Sequence, residues 1–456
     1  MPRWSKRSVR MDRLKLGSLF DGSGGFPLGG LLAGVTPVWA SEIEPFPIRV
    51  TTKRLPGMRH LGDVSSINGA EIEPVDIITF GSPCTDMSIA GKRAGLEGAQ
   101  SSLFYQAIRI IKEMRCATNG RYPRWVCWEN VVGAFSSNQG FDFKAVLDAV
   151  IGIAEPGASV PMPEKNRWPY ADVYMGGGWS VAYRTFDAQY WGVPQRRRRC
   201  YLVADFRGRC AGKVLFESEG LSGYSAESVR AWQSSAGAVA DCSGTADRIC
   251  LNSPCIQKAA GFCAEHSASS GGIGYAEEIS PTLRASIVPA VMTLYGNHPQ
   301  DARCTGPLVT APTISRTYGT GGNNQPLIVQ EHLPVRWLTP TECAKLQGFP
   351  PWWCSELETA EPTETDIAFW TEVWETYRRT ASSSTRSKSR AQVIKWLQHP
   401  HSDSAAYRMW GNGVALPCVF FVLAGIVLVS DAINAPNSAS DCCVYYGEKQ
   451  LAISPF

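Results

Sequence analysis

From Leu14 onward, short apolar runs bounded by glycine turns alternate with stretches whose apolar positions recur at helical spacing. KLGSLF is a β-type run, DGSGG a turn and FPLGGLLAGV a helix-compatible stretch; VWASEI follows as a second strand and VDIITF (75 to 80) as a buried one. LFYQAIRIIKEM (103 to 114) has the spacing of an amphipathic helix, and WVCWEN (125 to 130) returns to a strand. This alternation predicts an α/β fold, a doubly wound and mostly parallel sheet, in which ligands gather at the carboxyl ends of strands. The DGSGG turn, the loop after VDIITF and Glu129 all fall at such ends.

The texture changes after Ala204. Residues 205 to 335 are rich in Gly, Ser, Ala, Cys and Pro and predict a smaller, loop-rich, largely β domain. Within it EISPTLRASIVPAV (278 to 291) and VTAPTISRTYGTGGNNQPLIV (309 to 329) look like diverged copies of one unit. Residues 355 to 399 change again, from an acidic stretch with an amphipathic centre to the basic, serine-rich ASSSTRSKSR, and predict an exposed helix followed by a flexible connection. ALPCVFFVLAGIVLV (415 to 429) is shorter than a bilayer span needs, carries Pro417 near its start and predicts a buried helix. The expected division is a catalytic and cofactor-binding domain at 1–204, a second domain at 205–350, an inserted helix and linker at 351–400, and a segment at 401–456 that returns to the first domain.

Composition narrows the class. A chain of 456 residues that is 44% hydrophobic can bury more than one core. Fifteen cysteines diluted over that length, with no signal-peptide pattern at the start, fit reduced thiols and a cytoplasmic location. A formal charge of +3 is too mild to announce a nucleic-acid binder by itself.

Several residues could carry chemistry. A glycine-rich turn after the first strand lets backbone approach a ligand closely, and Glu42, twenty residues after Gly22, ends the second strand where a carboxylate can take two ribose hydroxyls. Asp63, in GDV, could hold an adenine edge, so the ligand would be an adenine nucleoside. Cys84 follows Pro83 at the same rim; a lone cysteine is more often packing than chemistry, and its neighbours must decide. Glu129, after the apolar WVCW, suits an acid with raised proton affinity or else a buried ion-pair partner. In QRRRRCYLVA (195 to 204) strand alternation sends Arg197 and Arg199 to one side and Arg196 and Arg198 to the other, so at least one pair should face the cleft.

Taken together these segments resemble the S-adenosylmethionine-dependent cytosine-C5 DNA methyltransferase family. LGSLFDGSGGFPLGG resembles its cofactor-cradling first motif, SEIEPF its second, GSPCTDMSIAG the Pro-Cys nucleophile loop and WENV the Glu-Asn-Val segment. QRRRRCYL is similar to the Gln-x-Arg-x-Arg strand, VRWLTPTECAKLQGFP to the ninth motif and YRMWGNGVALP to the last. Two departures stand out: Thr85 replaces the usual glutamine, and residues 355 to 399 lengthen the gap between the final two motifs.

The resemblance implies a Rossmann-like methyltransferase domain with a target-recognition domain at 205 to 335, and methyl transfer to carbon 5 of a cytosine flipped out of double-stranded DNA. It assigns Cys84 as the nucleophile, Glu129 as the proton partner at N3, and Arg199 with Arg197 as holders of O2. It assigns S-adenosylmethionine to Phe20, Gly22, Gly24, Gly25, Glu42, Asp63, Pro83, Leu103 and Asn412, with no metal. The expected state is a monomer away from membranes, and the resemblance leaves open a companion restriction endonuclease acting separately. Two rival readings stand beside it. The same chemistry on RNA is disfavoured by the long interval from Arg199 to Arg336 and the absence of a Cys-Phe-Thr signature. A catalytically silent DNA-binding scaffold would have no reason to retain Cys84, Glu129 and Arg199 together.

Overall fold

The computed structural model describes residues 13–82, 101–193, 195–216 and 339–434, with the backbone of six short strands between 260 and 337. The first part of the chain runs β1 (Lys15–Leu19), α1 (Gly25–Leu32), β2 (Thr36–Ser41), α2 (Pro45–Arg54), β3 (Arg59–His60), β4 (Ile77–Phe80), α3 (Ser101–Ala117) and β5 (Trp125–Val131). It continues through α4 (Phe141–Ile151), β6 (Ala171–Met175), β7 (Ser180–Asp187), β8 (Arg198–Asp205) and α5 (Ala211–Leu215). The eight strands form one sheet in the order β3-β2-β1-β4-β5-β8-β7-β6. Strands β3 to β5 in that order are parallel, and the strand order reverses beside β1, which is where a doubly wound sheet opens a ligand crevice. β8 runs antiparallel to β5, and β7 and β6 continue antiparallel. The fold is therefore the expected Rossmann-like α/β arrangement, with an antiparallel edge that brings the start of β8 to the carboxyl end of β5.

Both faces of the sheet are covered, and this is why its central strands read as continuous apolar runs. On one face Ile78, Phe80, Val126, Trp128 and Leu202 pack against Phe104, Ile108 and Ile111 of α3 and Phe143, Val146 and Leu147 of α4. On the other, Leu16, Ile77, Trp125 and Tyr201 meet Phe26 of α1, Val214 of α5 and the C-terminal helix. Gly17 has no side chain because the indole of Trp39 fills that space: a Cβ there would sit 2.2 Å from Trp39 Cη2.

After the second domain come α6 (Pro340–Leu346), α7 (Glu364–Thr380), α8 (Arg390–Gln398), α9 (Asp403–Asn412) and α10 (Leu416–Asn434). α10 is the one helix among the described residues long and apolar enough to cross a membrane. Its Val419, Phe421, Val422, Leu423 and Ile426 are instead buried against α1, α5 and the sheet. Capping boxes start α6 at Thr339 with Glu342, α7 at Thr363 with Asp366, and α8 at Ser389 with Gln392, each satisfying helix-start amides that have no partner inside the helix.

The helix of the insert differs from the expectation of an exposed one, while residues 381–389 form an irregular connection. α7 and α8 pair, and Trp370, Val373, Val393 and Leu397 make a small core with Ile48 of α2. Arg49 of α2 donates from Nε to the Leu357 carbonyl at 2.8 Å, also reaches Thr359 Oγ1, and lies 5.6 Å from the Trp370 ring centre. The acidic composition describes the outer face only; the stripe of Ile367, Trp370 and Val373 is buried.

In the second domain the described backbone comprises β9 (Ala260–Phe262), β10 (Ala276–Glu277), β11 (Ala290–Met292), β12 (Gly296–Asn297), β13 (Cys304–Thr305) and β14 (Arg336–Trp337). They form an antiparallel sheet in the order β10-β9-β11-β14 and a separate β12-β13 pair. The two repeat-like segments lie outside the described residues apart from the strand at Ala290–Met292.

Candidate active site

The glycine turn follows directly from the end of β1. Phe20, Gly22 and Gly24 have φ of 55°, 56° and 77°, the left-handed region that glycine adopts freely and phenylalanine does not. The turn is braced from three sides. Trp353 Nε1 donates to the Ser23 carbonyl at 2.9 Å, a Cβ on Gly25 would lie 2.3 Å from Val414 Cγ2, and one on Gly413 would lie 2.9 Å from Ser23 Oγ. Two of these three contacts come from the GNGV segment, which explains why a motif so late in the chain belongs to the same site.

Glu42 ties that turn to the end of β2. Its Oε2 accepts from Gly22 N at 2.7 Å, and its Oε1 accepts from the amides of Ile43 and Glu44 at 2.7 and 2.9 Å. These amides hold the carboxylate at the end of β2, where the sequence expects it to meet ribose hydroxyls. Asp63 accepts from Ser65 N and Ser65 Oγ at 2.9 and 2.7 Å and keeps room for a further donor. Glu42, Ile43, Gly62 and Asp63 line one cavity of about 600 Å³, within the range of about 300–1,000 Å³ that holds cofactor-sized ligands. A pair of acceptors at the rim of a doubly wound sheet, next to a glycine turn, fits an adenosine with its hydroxyl and amino donors.

Phe20 and Leu103 are half-buried and pack against the core on the α3 face, and neither lines the cavity. Asn412 is exposed at the end of α9, next to the Gly413 that abuts Ser23. Pro83 and Cys84 lie outside the described residues.

Glu129 and Arg199 meet across the β5–β8 ladder. Glu129 is opposite Tyr201 and Val131 opposite Arg199, so Glu129 and Arg199 are diagonal neighbours on one face. Arg199 Nε lies 3.2 Å from Glu129 Oε1, with side-chain exposures of 14% and 10%. Burial raises the proton affinity of Glu129, while the charges of Arg199 and Arg197 pull it back down. The acid stands against the end of β4: a Cβ on Gly81 would touch Glu129 Oε2 at 3.4 Å, and Asn130 Nδ2 donates to the Ser82 carbonyl at 3.3 Å. Ser82 is two residues along the chain from Cys84.

Arg197 shares that face, but its guanidinium is turned to backbone. It is buried and binds the carbonyl oxygens of Gly411 and Gly413. In this position it fastens the start of β8 to the α9–α10 turn. Arg198, on the opposite face, stacks on Tyr170 at 4.8 Å. Cys127 and Cys200 lie near Glu129 and are buried; burial first and the Glu129 charge second push both thiols up, so neither suits a nucleophile.

Sequence reasoning passed over two groups here. Asp21, inside the glycine turn, is buried with Oδ1 accepting from Ser18 Oγ at 2.7 Å, and burial pushes its carboxyl up to about 8. The cavity also has a second wall, from α7, which no motif announces.

A carboxylate-lined cavity on one rim, beside an acid and a guanidinium on the next strands, is an arrangement suited to group transfer in a doubly wound domain. Residues 14–153 and 174–366 match the C-5 cytosine-specific DNA methylase family, and the chain belongs to that family. It is 26% identical over 485 aligned residues to the DNA N-6-adenine-methyltransferase of Escherichia phage P1, covering 90% of this chain and 61% of that protein. It is 27% identical to the Type II methyltransferase M1.ScrFI of Lactococcus lactis subsp. cremoris, covering 74% and 70%. The solved Dnmt2 methyltransferase of S. pombe aligns with 93% of this chain and all of its own at 15% identity and a TM-score of 0.46. The chain thus spans about three fifths of the phage relative's length.

Proposed function

We propose that this chain methylates carbon 5 of cytosine in double-stranded DNA, using S-adenosylmethionine. The observation that carries the reading is the Glu129–Arg199 pair across β5 and β8, standing against the end of β4, with the Glu42–Asp63 cavity on the same rim. When bound, the cofactor supplies an electrophilic methyl group. Glu42 holds the ribose hydroxyls, Asp63 the adenine edge, and the glycine turn lets backbone approach the rest of the ligand closely.

Carbon 5 of cytosine is too electron-poor to accept a methyl group unaided. The Cys84 thiolate adds to carbon 6, forming a sulfur–carbon bond and moving the ring's electron pair toward carbon 5. Negative charge then builds at N3 and O2. Glu129, whose proton affinity is raised by burial, gives or shares a proton at N3, and Arg199 holds O2 with donors that need no reorganisation. After transfer, loss of the carbon 5 proton returns the electron pair to the ring and expels the thiolate. The target base must leave the duplex to expose both its faces.

A second reading rests on the phage P1 relative, a DNA N-6-adenine-methyltransferase. An exocyclic amine attacks directly and needs neither a thiol addition nor an acid at N3, so that reading leaves the Glu129–Arg199 pair without work. Mass spectrometry of nucleosides from DNA of cells expressing the protein separates the two: 5-methylcytosine is expected, and N6-methyladenine alone overturns the proposal. A duplex carrying 5-fluorocytosine at the target should trap a covalent adduct with the parent chain and none with Cys84→Ala. Recovery of the same adduct from Cys84→Ala would remove Cys84 from its role.

A further inference from the structure

The cavity that holds Glu42 and Asp63 is closed on its far side by the insert. Phe369, Val373, Thr376 and Arg379 of α7 line it together with the rim residues of β2 and the loop after β3. We propose that α7 is a wall of the cofactor pocket, covering the adenine end of the nucleoside, so that residues of the insert set cofactor affinity. This rests on the adenosine reading of the cavity given above.

The packing makes α7 a fixed wall and not a loose neighbour. α2 begins at Pro45, three residues after Glu42, and α2 is the helix to which the insert is fastened through Ile48, Arg49 and the Trp370–Val393 core. A displacement of α7 would therefore have to break the core of Ile48, Trp370 and Val373 and the contact of Arg49 with the Trp370 ring. The chemistry of the two walls also matches one ligand. The rim offers carboxylate and backbone acceptors, suited to ribose hydroxyls and an amino edge, while α7 offers Phe369, Val373 and the methyl of Thr376, suited to the faces of a flat heterocycle. Glu42, Asp63 and Glu372 against the single Arg379 make this end unfavourable for a phosphate, so a nucleoside fits and a nucleotide does not. Phe369 remains 38% exposed on an otherwise docked helix, an apolar surface that a ligand in the cavity would cover.

Titration calorimetry with S-adenosylhomocysteine on the full chain tests the proposal without reference to turnover. Phe369→Ala should weaken binding about fivefold, the loss expected when part of an aromatic side chain's apolar contact is removed. Thr376→Trp should weaken it by more than about tenfold by filling the cavity, the scale of roughly 1.4 kcal/mol. Both positions are at least partly exposed on α7, so thermal midpoints without ligand should stay at the parent value. Glu42→Ala is the reference. If Glu42→Ala also binds normally, the adenosine reading of the cavity is wrong. If Glu42→Ala loses binding while both α7 variants bind like the parent at unchanged midpoint, the wall proposal alone is overturned.

Discussion

Replacing Asp21 by asparagine isolates the energetic consequence of burying a carboxyl group in the glycine turn. Asp21 is 5% exposed, the one described partner of its carboxyl is the Ser18 hydroxyl, and the Glu42 charge adds to burial in disfavouring ionisation, so that its carboxyl is raised from 3.8 to about 8. The unfolded chain releases this proton near pH 4 and the folded chain only near pH 8. Between those limits the native state binds more protons than the unfolded one, so stability falls as pH rises, by up to about 1.4 kcal/mol per pH unit. At pH 7, about three units above the unfolded value, the accumulated loss is on the order of 4 kcal/mol. The asparagine would keep the shape and an acceptor for Ser18 but has nothing to ionise. Urea unfolding of parent and Asp21→Asn at pH 5, 6, 7 and 8 should give curves that diverge steadily, the variant being the more stable at the alkaline end. A stability difference that stays constant across this range would refute the argument.

Glu129→Gln preserves volume while removing the exchangeable proton, so single-turnover methyl transfer should fall about 10²- to 10⁴-fold with calorimetric cofactor binding retained; an unchanged rate would remove Glu129 from the chemistry. Gly17→Ala places a methyl 2.2 Å from the Trp39 ring, which is itself 1% exposed and cannot yield. Overpacking of this kind costs about 1–3 kcal/mol, so differential scanning calorimetry should register a lower midpoint, and an equal midpoint would mean that the sheet accommodates the side chain.

How much is legible in the sequence follows from where each constraint is local. The DGSGG turn and Glu42 can be read because backbone conformation and a strand end are written in adjacent residues, and Gly22 N does meet Glu42 Oε2. The pairing of Glu129 with Arg199 is only half legible. Alternation places Arg197 and Arg199 on one side, but that β8 runs antiparallel to β5 is decided by the β6–β7 hairpin, whose MGGGW turn carries no signal for the strand beyond it. That Arg197 would hold Gly411 and Gly413 depends on residues more than two hundred positions away. The docking of the insert is hidden for a similar reason: Ile367, Trp370 and Val373 mark a buried stripe, but nothing in the stripe names α2 as what it covers.

The four arginines 196–199 make the charge on β8 degenerate. If the strand slid by one position, Arg198 would stand where Arg199 does, and Glu129 would still face a guanidinium. What forbids the slide is volume further along: Tyr201 and Val203 would have to exchange sides with Cys200, Leu202 and Ala204, which fill the opposite core. Which arginine stands beside Glu129 is thus dictated by the bulk of the tyrosine and leucine two and three residues further on, and a mutation that evened out those sizes would let a different guanidinium take that place without touching any charged group.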